Sequence, residues 1–539
     1  MFETRWDEKA AREFYERGYW SKRTFFDTLS EKARLHPARE AFKDTYRSLT
    51  YAQLKNEVER CAEVFRRHGI GKGAVVAVQL ANRIEFCVVV YSLELVGAIA
   101  NNLNPDFRAM EVEYILRFST AKAYVCANEF KGFNYVPMIK SLQPSLPKLK
   151  LIATVDDSTE TGVVSIKSEL KRAQPIADGT RVRMSPDEVM RMAFTSGTTG
   201  NPKGVMHSFN TSLCTNDILS KNLNMTSEDV MLIFMPVGLN AGYLNTMQVI
   251  QAGARGVLME RFSPPAALAL IQKERVTIML SPPAGLVMMM QMPDFASYDL
   301  KSLRVVLTGG ATTSVATLKA FATSVGAKII DIYGMLESGY HTHTRLDDDF
   351  DKVIGSVGRV VEIMGLRIVD EEGRDVAPGE EGEILAYGPS VHLGYFNNAT
   401  ANAEAFLPGG WFRTGDLGVF VDERKNVRIS GRRKEIINRG GKKYFPREVE
   451  EILFQHPKIL NVAVVGVPDE RLGEKNCVCV IPKPGASIEL DEIVGFLKGK
   501  VADYKLPEQL VIRTEFPMTA TGKIRRPIMA KEVAQETNR

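Results

Sequence analysis

One short stretch of the chain is rich in glycine and hydroxyl residues and contains a single lysine. Residues 194–205 read FTSGTTGNPKGV. Successive backbone N–H groups of a glycine-rich turn form a concave anion site, and glycine permits positive φ and close approach. The Walker A pattern is absent, because Lys203 stands between Pro202 and Gly204. A surface loop without a ligand is the alternative, but the apolar run before it favours a phosphate-binding loop of another class.

Apolar runs that are typical of strands alternate with helical patterns on both sides of this loop. The runs are residues 74–80, 121–127, 148–155, 276–282, 303–310 and 327–334. Residues 51–68 have a helical pattern. Residues 86–100 indicate a buried strand or helix, because they are too few to span a bilayer and include Glu94. Strand–helix alternation predicts an α/β fold of layered, largely parallel sheets.

The pattern changes after about residue 355. Residues 366–388 contain short apolar runs broken by glycine, proline and acidic turns, which predicts a β-rich subdomain. Residues 429–441 concentrate charge and glycine, and the pattern beyond them indicates a helix followed by two strands. We therefore predict an N-terminal domain of residues 1–431 and a small α+β C-terminal domain of residues 432–539.

Composition excludes several classes of protein. A chain of 539 residues with 45% hydrophobic content is too long for one core. The formal net charge of +4 is not concentrated in a basic tract, which disfavours nucleic acid as a partner. Six scattered cysteines do not indicate a disulfide framework, and Cys477 and Cys479 are expected on one face of a strand. The first twenty residues lack the apolar segment of a signal peptide, so we expect a reducing cytoplasm.

Four further motifs follow the loop in order. They are YGMLES at residues 333–338, WFRTGDLG at 411–418, SGRRKEIINRGGKKYFPREVEE at 430–451 and PMTATGKI at 517–524. Together with TSGTTGNPKG they resemble the signatures of the adenylate-forming superfamily, which includes acyl-CoA synthetases, peptide-synthetase adenylation domains and luciferases. The resemblance covers nearly the whole chain. It implies a large N-terminal domain of layered α/β sheets with a β-rich subdomain, and a small mobile α+β C-terminal domain.

The resemblance implies two half-reactions. A carboxylate attacks the α-phosphate of ATP, and a thiol then displaces AMP from the acyl-adenylate. The first step joins two anions, so it needs positive charge and hydrogen-bond donors. By resemblance, the catalytic residues are Lys523, which would approach the α-phosphate and the carboxylate, and Glu337, which would hold Mg²⁺.

The resemblance also implies a set of nucleotide-binding residues. They are Thr195, Ser196, Gly197, Thr198, Thr199, Gly200, Lys203, Gly310, Ala311, Asp331, Tyr333, Gly334, Asp416, Arg432 and Lys523. The loop residues would cradle the β- and γ-phosphates, and Tyr333 would stack on adenine. Asp416 would bind both ribose hydroxyls, and Arg432 would reach the ribose or phosphates. Taken singly, Asp416 could be a turn aspartate and Lys523 a solvated lysine.

The C-terminal domain of this superfamily rotates between the half-reactions. The hinge position corresponds to Lys434, a charged linker residue that can absorb backbone rotation. Rotation would remove Lys523 and bring Gly440 and Gly441 to line a narrow channel for the pantetheine arm of CoA, where small residues allow close approach.

Two positions depart from the superfamily pattern. Leu336 stands where a threonine hydroxyl usually donates to the α-phosphate, and a hydrogen bond to a charged group contributes about 1.5–3 kcal/mol. Leu239 replaces a residue that is often aromatic or histidine. The acyl pocket is expected to comprise Leu239, Asn240, Gly310, Met335 and Gly339. Together with Gly238 and Gly242 nearby, the small and apolar residues of this set favour an uncharged acyl group. A metal at His341 and His343 is disfavoured, because no third ligand is evident.

The favoured function is that of an acyl-CoA synthetase for a short- or medium-chain, alicyclic or aromatic acid. ATP, Mg²⁺ and coenzyme A are the expected cofactors. The alternatives are an acyl-AMP ligase that loads a carrier-protein phosphopantetheine, a luciferase-like oxygenase and a non-catalytic nucleotide-binding protein. The expected partners are the carboxylic acid, CoA, a second copy in a homodimer, and an acetyltransferase and deacetylase acting on Lys523. No integral membrane segment is expected.

Overall fold

The structure is a computed structural model. It describes residues 3–5, 7–195, 202–309, 315–353, 355–432, 435–440, 442–469, 471–518 and 524–537. The following helices and strands are numbered in chain order within those ranges.

The α-helices are α1 Glu8–Glu16, α2 Phe25–Leu35, α3 Tyr51–Arg67, α4 Ile84–Leu95, α5 Ala109–Phe118, α6 Tyr135–Leu142, α7 Ile166–Arg172, α8 Phe209–Asn222, α9 Asn240–Ala252, α10 Pro264–Glu274, α11 Pro283–Met290, α12 Val315–Val325, α13 Phe350–Val353, α14 Ala399–Ala405, α15 Pro446–Leu453, α16 Leu490–Leu497 and α17 Arg526–Thr537.

The strands are β1 Glu40–Lys43, β2 Ser48–Thr50, β3 Val75–Gln79, β4 Ile99–Asn102, β5 Ala123–Cys126, β6 Glu129–Phe130, β7 Phe133–Asn134, β8 Leu151–Thr154, β9 Val163–Ser165, β10 Val189–Phe194, β11 Gly204–Ser208, β12 Val230–Ile233, β13 Arg255–Leu258, β14 Ile278–Ser281, β15 Val305–Gly309, β16 Lys328–Met335, β17 Gly339–His343, β18 Arg359–Val360, β19 Gly365–Val369, β20 Gly382–Tyr387, β21 Phe412–Phe420, β22 Val427–Arg432, β23 Ile437–Arg439, β24 Lys442–Tyr444, β25 Ile459–Asp469, β26 Gly473–Pro482 and β27 Gln509–Ile512.

Two large sheets build the N-terminal part of the chain. One has the order β18-β17-β16-β15-β14-β12-β13-β1-β2, and the other has the order β11-β10-β4-β3-β5-β8-β9. The central pairs of both sheets are parallel, for example β14 with β15 and β3 with β4. All six strands predicted from the apolar runs are present, as β3, β5, β8, β14, β15 and β16. The layered α/β prediction is therefore confirmed.

A shared apolar core lies between the two large sheets. Val76 of β3, Leu307 of β15 and the apolar side chains of α4 belong to one buried cluster. α4 is apolar on nearly every side, as expected of a helix packed between two layers. Residues 86–100, expected to be a strand or a helix, contain most of α4 and the beginning of β4.

Two smaller sheets follow in the second half of the chain. β19, β20, β21 and β22 form an antiparallel sheet, as the short runs of residues 366–388 predicted. β23 to β27 form the sheet of the C-terminal part, which has its own buried clusters. Cys477 and Cys479 lie on one face of β26 in the same cluster, as expected. All six cysteines of the chain are buried and unbonded.

Local hydrogen bonds mark the beginnings of several helices. Thr50 and Gln53 form a capping box at α3, and Ser208 and Thr211 form one at α8. Among the described residues, no helix has both the length and the apolar character needed to cross a bilayer.

Candidate active site

The phosphate-loop motif connects two antiparallel strands at one edge of the seven-stranded sheet. β10 ends at Phe194, which pairs with Gly204 at the beginning of β11. The amide of Thr195 donates to the carbonyl of Lys203 at 3.0 Å, and the amide of Lys203 donates to Thr195 Oγ1 at 3.2 Å. These two bonds close the base of the loop. Its interior residues lie outside the described ranges, namely Ser196, Gly197, Thr198, Thr199 and Gly200.

Tyr395 brings Glu337 and the lysine of the loop together. Its hydroxyl donates to Glu337 Oε1 at 3.1 Å, and Lys203 Nζ lies 4.7 Å from the centre of its ring. Burial raises the pKa of Glu337, and the hydrogen bond from Tyr395 partly opposes that rise. A half-buried carboxylate beside a lysine and a phosphate-type loop is a donor set that fits a hard cation with phosphate oxygens. Tyr395 belongs to none of the motifs, and nothing in the surrounding sequence HLGYFNN indicates this contact.

Three of the predicted nucleotide residues meet where three strands converge. Tyr333 of β16 donates its hydroxyl to Asp416 Oδ2 at 2.8 Å. Arg432 Nε lies 3.2 Å from Asp416 Oδ1, because the two residues are paired across β21 and β22. Burial and the adjacent carboxylate raise the pKa of Tyr333 well above its usual value. Burial lowers the pKa of Arg432, but attraction to Asp416, Glu435 and other nearby acidic groups together raises it above its usual value.

The remaining described residues of the predicted nucleotide site, Asp331 and Gly334, lie on β16, as Tyr333 does. Burial raises the pKa of Asp331 to about 7, and the charge of Arg447 opposes this rise. Gly334 allows β16 to approach β17 closely, since a Cβ there would lie 2.1 Å from the carbonyl oxygen of Gly339. Gly310 and Ala311 lie outside the described residues.

The described residues of the predicted acyl pocket are close together at the beginning of α9 and the end of β16. Leu239 precedes α9, and Asn240 Nδ2 donates to the carbonyl of Met335 at 3.3 Å. Gly339 has φ +64° and adjoins Thr215, whose Oγ1 would lie 2.7 Å from an added Cβ.

Packing accounts for the two neighbouring glycines without reference to an acid. A Cβ on Gly238 would lie 2.1 Å from the carbonyl oxygen of Leu103, and one on Gly242 would lie 2.4 Å from that of Pro236. These glycines therefore permit close backbone approach and carry no information about the size or charge of the acyl group.

Two buried basic side chains, Arg191 and His207, contact this region, although neither belongs to a predicted motif. Arg191 Nη1 donates to Asn240 Oδ1 at 2.8 Å. His207 Nε2 lies 2.7 Å from the carbonyl oxygen of Leu336. Burial and Arg191 lower the pKa of His207 to about 4, so the neutral ring donates through Nε2 and accepts from Thr211 through Nδ1. The sequence contains one signal for Arg191, because it is an arginine within an otherwise apolar run, VMRMAF.

His341 and His343, which were considered as a metal site, each have a neighbour within hydrogen-bonding distance. His341 Nε2 lies 3.1 Å from the carbonyl oxygen of Gly365, and His343 Nδ1 lies 2.7 Å from that of Thr344. Burial lowers the pKa of both rings to about 4.

Three short stretches of the C-terminal motifs, residues 433–434, 441 and 519–523, lie outside the described ranges. Gly440 has φ +58°, and its amide donates to the carbonyl of Leu472 at 2.7 Å. Met518 and Ile524 form an antiparallel bridge on either side of residue 523. Arg526, half-buried at the beginning of α17, contacts both oxygens of Glu450 at 2.7 and 2.6 Å. Lys434, Gly441 and Lys523 lie outside the described residues.

Comparisons with known proteins match nearly the whole chain. A family model described as AMP-binding enzyme matches residues 29–396, and one described as AMP-binding enzyme C-terminal domain matches residues 448–523. The chain is 34% identical over 535 residues to the medium-chain fatty-acid–CoA ligase of Escherichia coli (strain K12), covering 98% of this chain and 93% of that protein. It is 31% identical over 544 residues to the 2,3-dihydroxybenzoate-AMP ligase of Bacillus subtilis (strain 168), covering 99% and 98%. It is also similar to the crystal structure of the anthranilate CoA ligase AuaEII in complex with anthranoyl-AMP, with TM-score 0.88, 27% identity, and 96% and 98% coverage.

Proposed function

Because the chain belongs to the AMP-binding enzyme family of adenylate-forming ligases, we propose that it joins a carboxylic acid to coenzyme A in two steps. In the first step, a carboxylate oxygen of the acid bonds to the α-phosphorus of ATP, and pyrophosphate leaves. In the second step, the thiol of CoA loses its proton and bonds to the acyl carbon, and AMP leaves. The proposed acid is short- or medium-chain, alicyclic or aromatic.

The observation that carries this proposal is the convergence of Glu337, Tyr395 and Lys203 beside the loop. The first step brings a carboxylate to a polyphosphate, so it requires compensating positive charge. Lys203 would provide a fixed charge, and Glu337 would hold Mg²⁺, which neutralises phosphate charge when bound. Tyr395 orients the carboxylate of Glu337 by its hydrogen bond.

The group formed by Tyr333, Asp416 and Arg432 supports a nucleoside site. The carboxylate of Asp416 is fixed by a tyrosine hydroxyl on one oxygen and a guanidinium on the other. A fixed carboxylate with two oxygens is suited to accept from the two hydroxyls of a ribose. We propose that Tyr333 contacts the adenine and that Arg432 contacts the ribose or phosphates.

Lys523 provides the sharpest test of the roles assigned to the C-terminal domain. We expect Lys523→Ala to lower pyrophosphate release at least 100-fold, because a charge at the reacting phosphate is lost. Thioester formation from supplied acyl-adenylate and CoA should stay within about threefold of the wild type. Lys531→Ala on the exposed surface of α17 is the matched control. Equal loss of both half-reactions would contradict the assigned role. Acetylation of Lys523 should have the same effect as the alanine variant, since it removes the charge.

The identity of the thiol separates the proposal from its nearest alternative. The relatives include a protein named as a CoA ligase and one named as an AMP ligase. We favour free CoA, and a carrier-protein phosphopantetheine is the alternative acceptor.

Leu336 motivates a second alternative, a protein that binds nucleotide without catalysis. Its side chain cannot donate to the α-phosphate, and the nearby Ser338 hydroxyl is buried and unpartnered among the described residues. The presence of Lys523 in the sequence argues for catalysis, because nucleotide binding alone does not require it.

A panel of acids decides between these functions. Pyrophosphate release from Mg-ATP would be measured with butyrate, octanoate, benzoate and cyclohexanecarboxylate, each with and without CoA. We expect multiple turnovers only with CoA, together with AMP and a thioester. Release that stops near one turnover despite CoA would favour a carrier-protein thiol. No release with any of these acids or with a dicarboxylate would contradict the catalytic proposal, and Leu336→Thr would then test whether the missing hydroxyl is the reason.

Several further expectations stay predictions. They are the division into residues 1–431 and 432–539, the hinge at Lys434, the CoA channel at Gly440 and Gly441, the homodimer, the enzymes that act on Lys523 and the cytoplasmic location.

A further inference from the structure

Arg191 is the largest side chain among those fully buried in the described structure. It lies on β10, between β4 and β11, in a strand of otherwise apolar residues. Burial lowers its pKa to about 10, so the guanidinium is still charged at neutral pH. Burial of a charge costs several kcal/mol unless an opposite charge or a full set of hydrogen bonds compensates it.

The described residues supply only part of that compensation. No carboxylate among them forms an ion pair with Arg191, and its guanidinium carbon lies 3.9 Å from the centre of the Tyr243 ring. Nη1 donates to Asn240, whereas Nε and Nη2 have no partner in the described part of the chain. Nε and Nη2 form the edge of the guanidinium that binds a carboxylate through two parallel hydrogen bonds. The edge suited to an anion is therefore the one without a partner.

Two contacts connect Arg191 to the backbone at the end of β16, where Met335 of the predicted acyl pocket lies. Asn240 connects it to the carbonyl of Met335. His207, paired with Arg191 across β10 and β11, contacts the carbonyl of Leu336. The guanidinium is thus separated by one side chain from the Met335–Leu336 backbone, directly before Glu337.

The neighbouring wall of this region is also polar. Thr215 of α8 adjoins Gly339, and its hydroxyl is buried without a partner among the described residues. The hydroxyl of Ser338, next to Gly339, is also buried and has no partner in the part of the chain that the structure describes. A pocket built only for hydrocarbon would leave such groups unsatisfied at a cost of about 1–3 kcal/mol each.

We propose that Arg191 is a specificity-determining residue that binds a second carboxylate, at the far end of the acid's acyl group. The acid would then be a dicarboxylate, activated at one end and held at the other. This inference rests on the proposed adenylation and narrows its substrate class. It also revises the expectation of an uncharged acyl group, which rested on the residues of the predicted pocket alone.

Three eight-carbon acids test the inference on the wild-type enzyme. The kcat/KM for pyrophosphate release would be compared for octanedioate, 7-oxooctanoate and octanoate. We expect octanedioate to exceed octanoate by about 10- to 150-fold, the factor for hydrogen bonds to a charged group. An equal or higher value for octanoate or 7-oxooctanoate would overturn the proposal.

Variants of Arg191 test whether this residue causes the preference for octanedioate over octanoate. Arg191→Met should reduce the ratio of octanedioate to octanoate at least tenfold, and Arg191→Lys should retain part of it, because lysine keeps the charge without the paired donors. Met192→Leu, on the opposite face of β10, is the control and should leave the ratio unchanged. A uniform loss with all three acids would indicate a structural role and contradict the proposal. If Arg191→Met does not fold, the kcat/KM values of the three acids on the wild-type enzyme still decide the question.

The design separates failure of the inference from failure of the proposed function. Pyrophosphate release reports adenylation alone, so the ranking of acids stands even if CoA is not the acceptor. If no acid releases pyrophosphate, calorimetric binding of the three acids in the presence of AMP would rank them instead. Tightest binding of octanedioate would support the inference, and any other order would overturn it.

Discussion

At the scale of single residues, the protonation of Glu337 depends on its surroundings. Burial favours the neutral carboxyl, whereas a bound cation requires the carboxylate. The Tyr395 hydroxyl shifts this balance toward the charged form by donating a hydrogen bond at 3.1 Å. Tyr395 would therefore affect the proposed binding of Mg²⁺ without any need to contact the metal.

Tyr395→Phe tests this coupling. Removal of the donor raises the pKa of Glu337 further, so the acid limb of the kcat/KM profile should move to higher pH. At pH 7 the kcat/KM should fall about 10-fold, and more Mg²⁺ should be needed for half-maximal rate. The measurement is a pH series of pyrophosphate release at several magnesium concentrations.

Tyr15→Phe is the matched control, because it removes a tyrosine–carboxylate hydrogen bond of 2.8 Å to Asp187, outside the site. The proposed role of Tyr395 is wrong if both variants leave the acid limb where it is in the wild type.

The sequence could indicate motif residues but not the residues that connect them. Tyr333 and Asp416 were predicted to share a site because their motifs resemble those of a known superfamily, and they are in contact. Arg191, His207 and Tyr395 have no such motif. Their importance arises from contacts with residues 49, 129 and 58 positions away, and local patterns do not contain that information.

At the scale of elements, α4 carries a buried carboxyl group, that of Glu94, into the core between the sheets. Glu94 Oε2 accepts from the amide of Phe26 in the first turn of α2 at 2.9 Å. Burial raises the pKa of Glu94 from 4.5 to about 8, although that hydrogen bond opposes the rise. The folded protein thus holds a proton that the unfolded chain releases above about pH 4.5.

Glu94→Gln should therefore stabilise the protein in a pH-dependent way. Between pH 4.5 and about 8, the wild type loses up to about 1.4 kcal/mol of unfolding free energy per pH unit through this group. Glutamine does not titrate, so the difference between variant and wild type should grow over that window and then level off. Denaturant unfolding at pH 5, 6.5 and 8 measures it.

Glu371→Gln on the exposed surface serves as the control for this series. A difference between Glu94→Gln and the wild type that is the same at all three pH values would contradict the assignment.

The elements themselves were largely predictable. Alternating apolar runs locate strands because burial on both faces of a parallel sheet requires continuous apolar sequence. The order of strands was not predictable, because β10 pairs with β4, although nearly ninety residues separate them, and with β11 in the antiparallel sense. The chain pattern specifies which residues are buried but not which strand lies beside them.

At the scale of the whole molecule, a large N-terminal domain and a small C-terminal domain have separate cores, and we propose that they are connected near the end of β22. The clusters of the C-terminal sheet contain residues from 437 onward. Proline fixes φ near −65° and removes a donor, so it restricts rotation at a hinge. Lys434→Pro should leave pyrophosphate release within about threefold of the wild type and lower thioester formation at least tenfold.

Lys434→Ala is the matched control, since it removes the charge but keeps backbone freedom. Single-turnover assays of each half-reaction would make the comparison. Equal rates for the proline and alanine variants in the thioester step would contradict a hinge at this position.

The burial of all six cysteines has a practical consequence for testing the proposed rotation of the C-terminal domain. A maleimide dye finds no exposed native thiol on the folded chain, so background labelling should be low without any cysteine removal. One cysteine introduced on each body, for example at the exposed positions Ser48 and Ser487, would then carry a donor–acceptor pair. Energy transfer between the two dyes could follow each catalytic cycle in real time in an otherwise native protein.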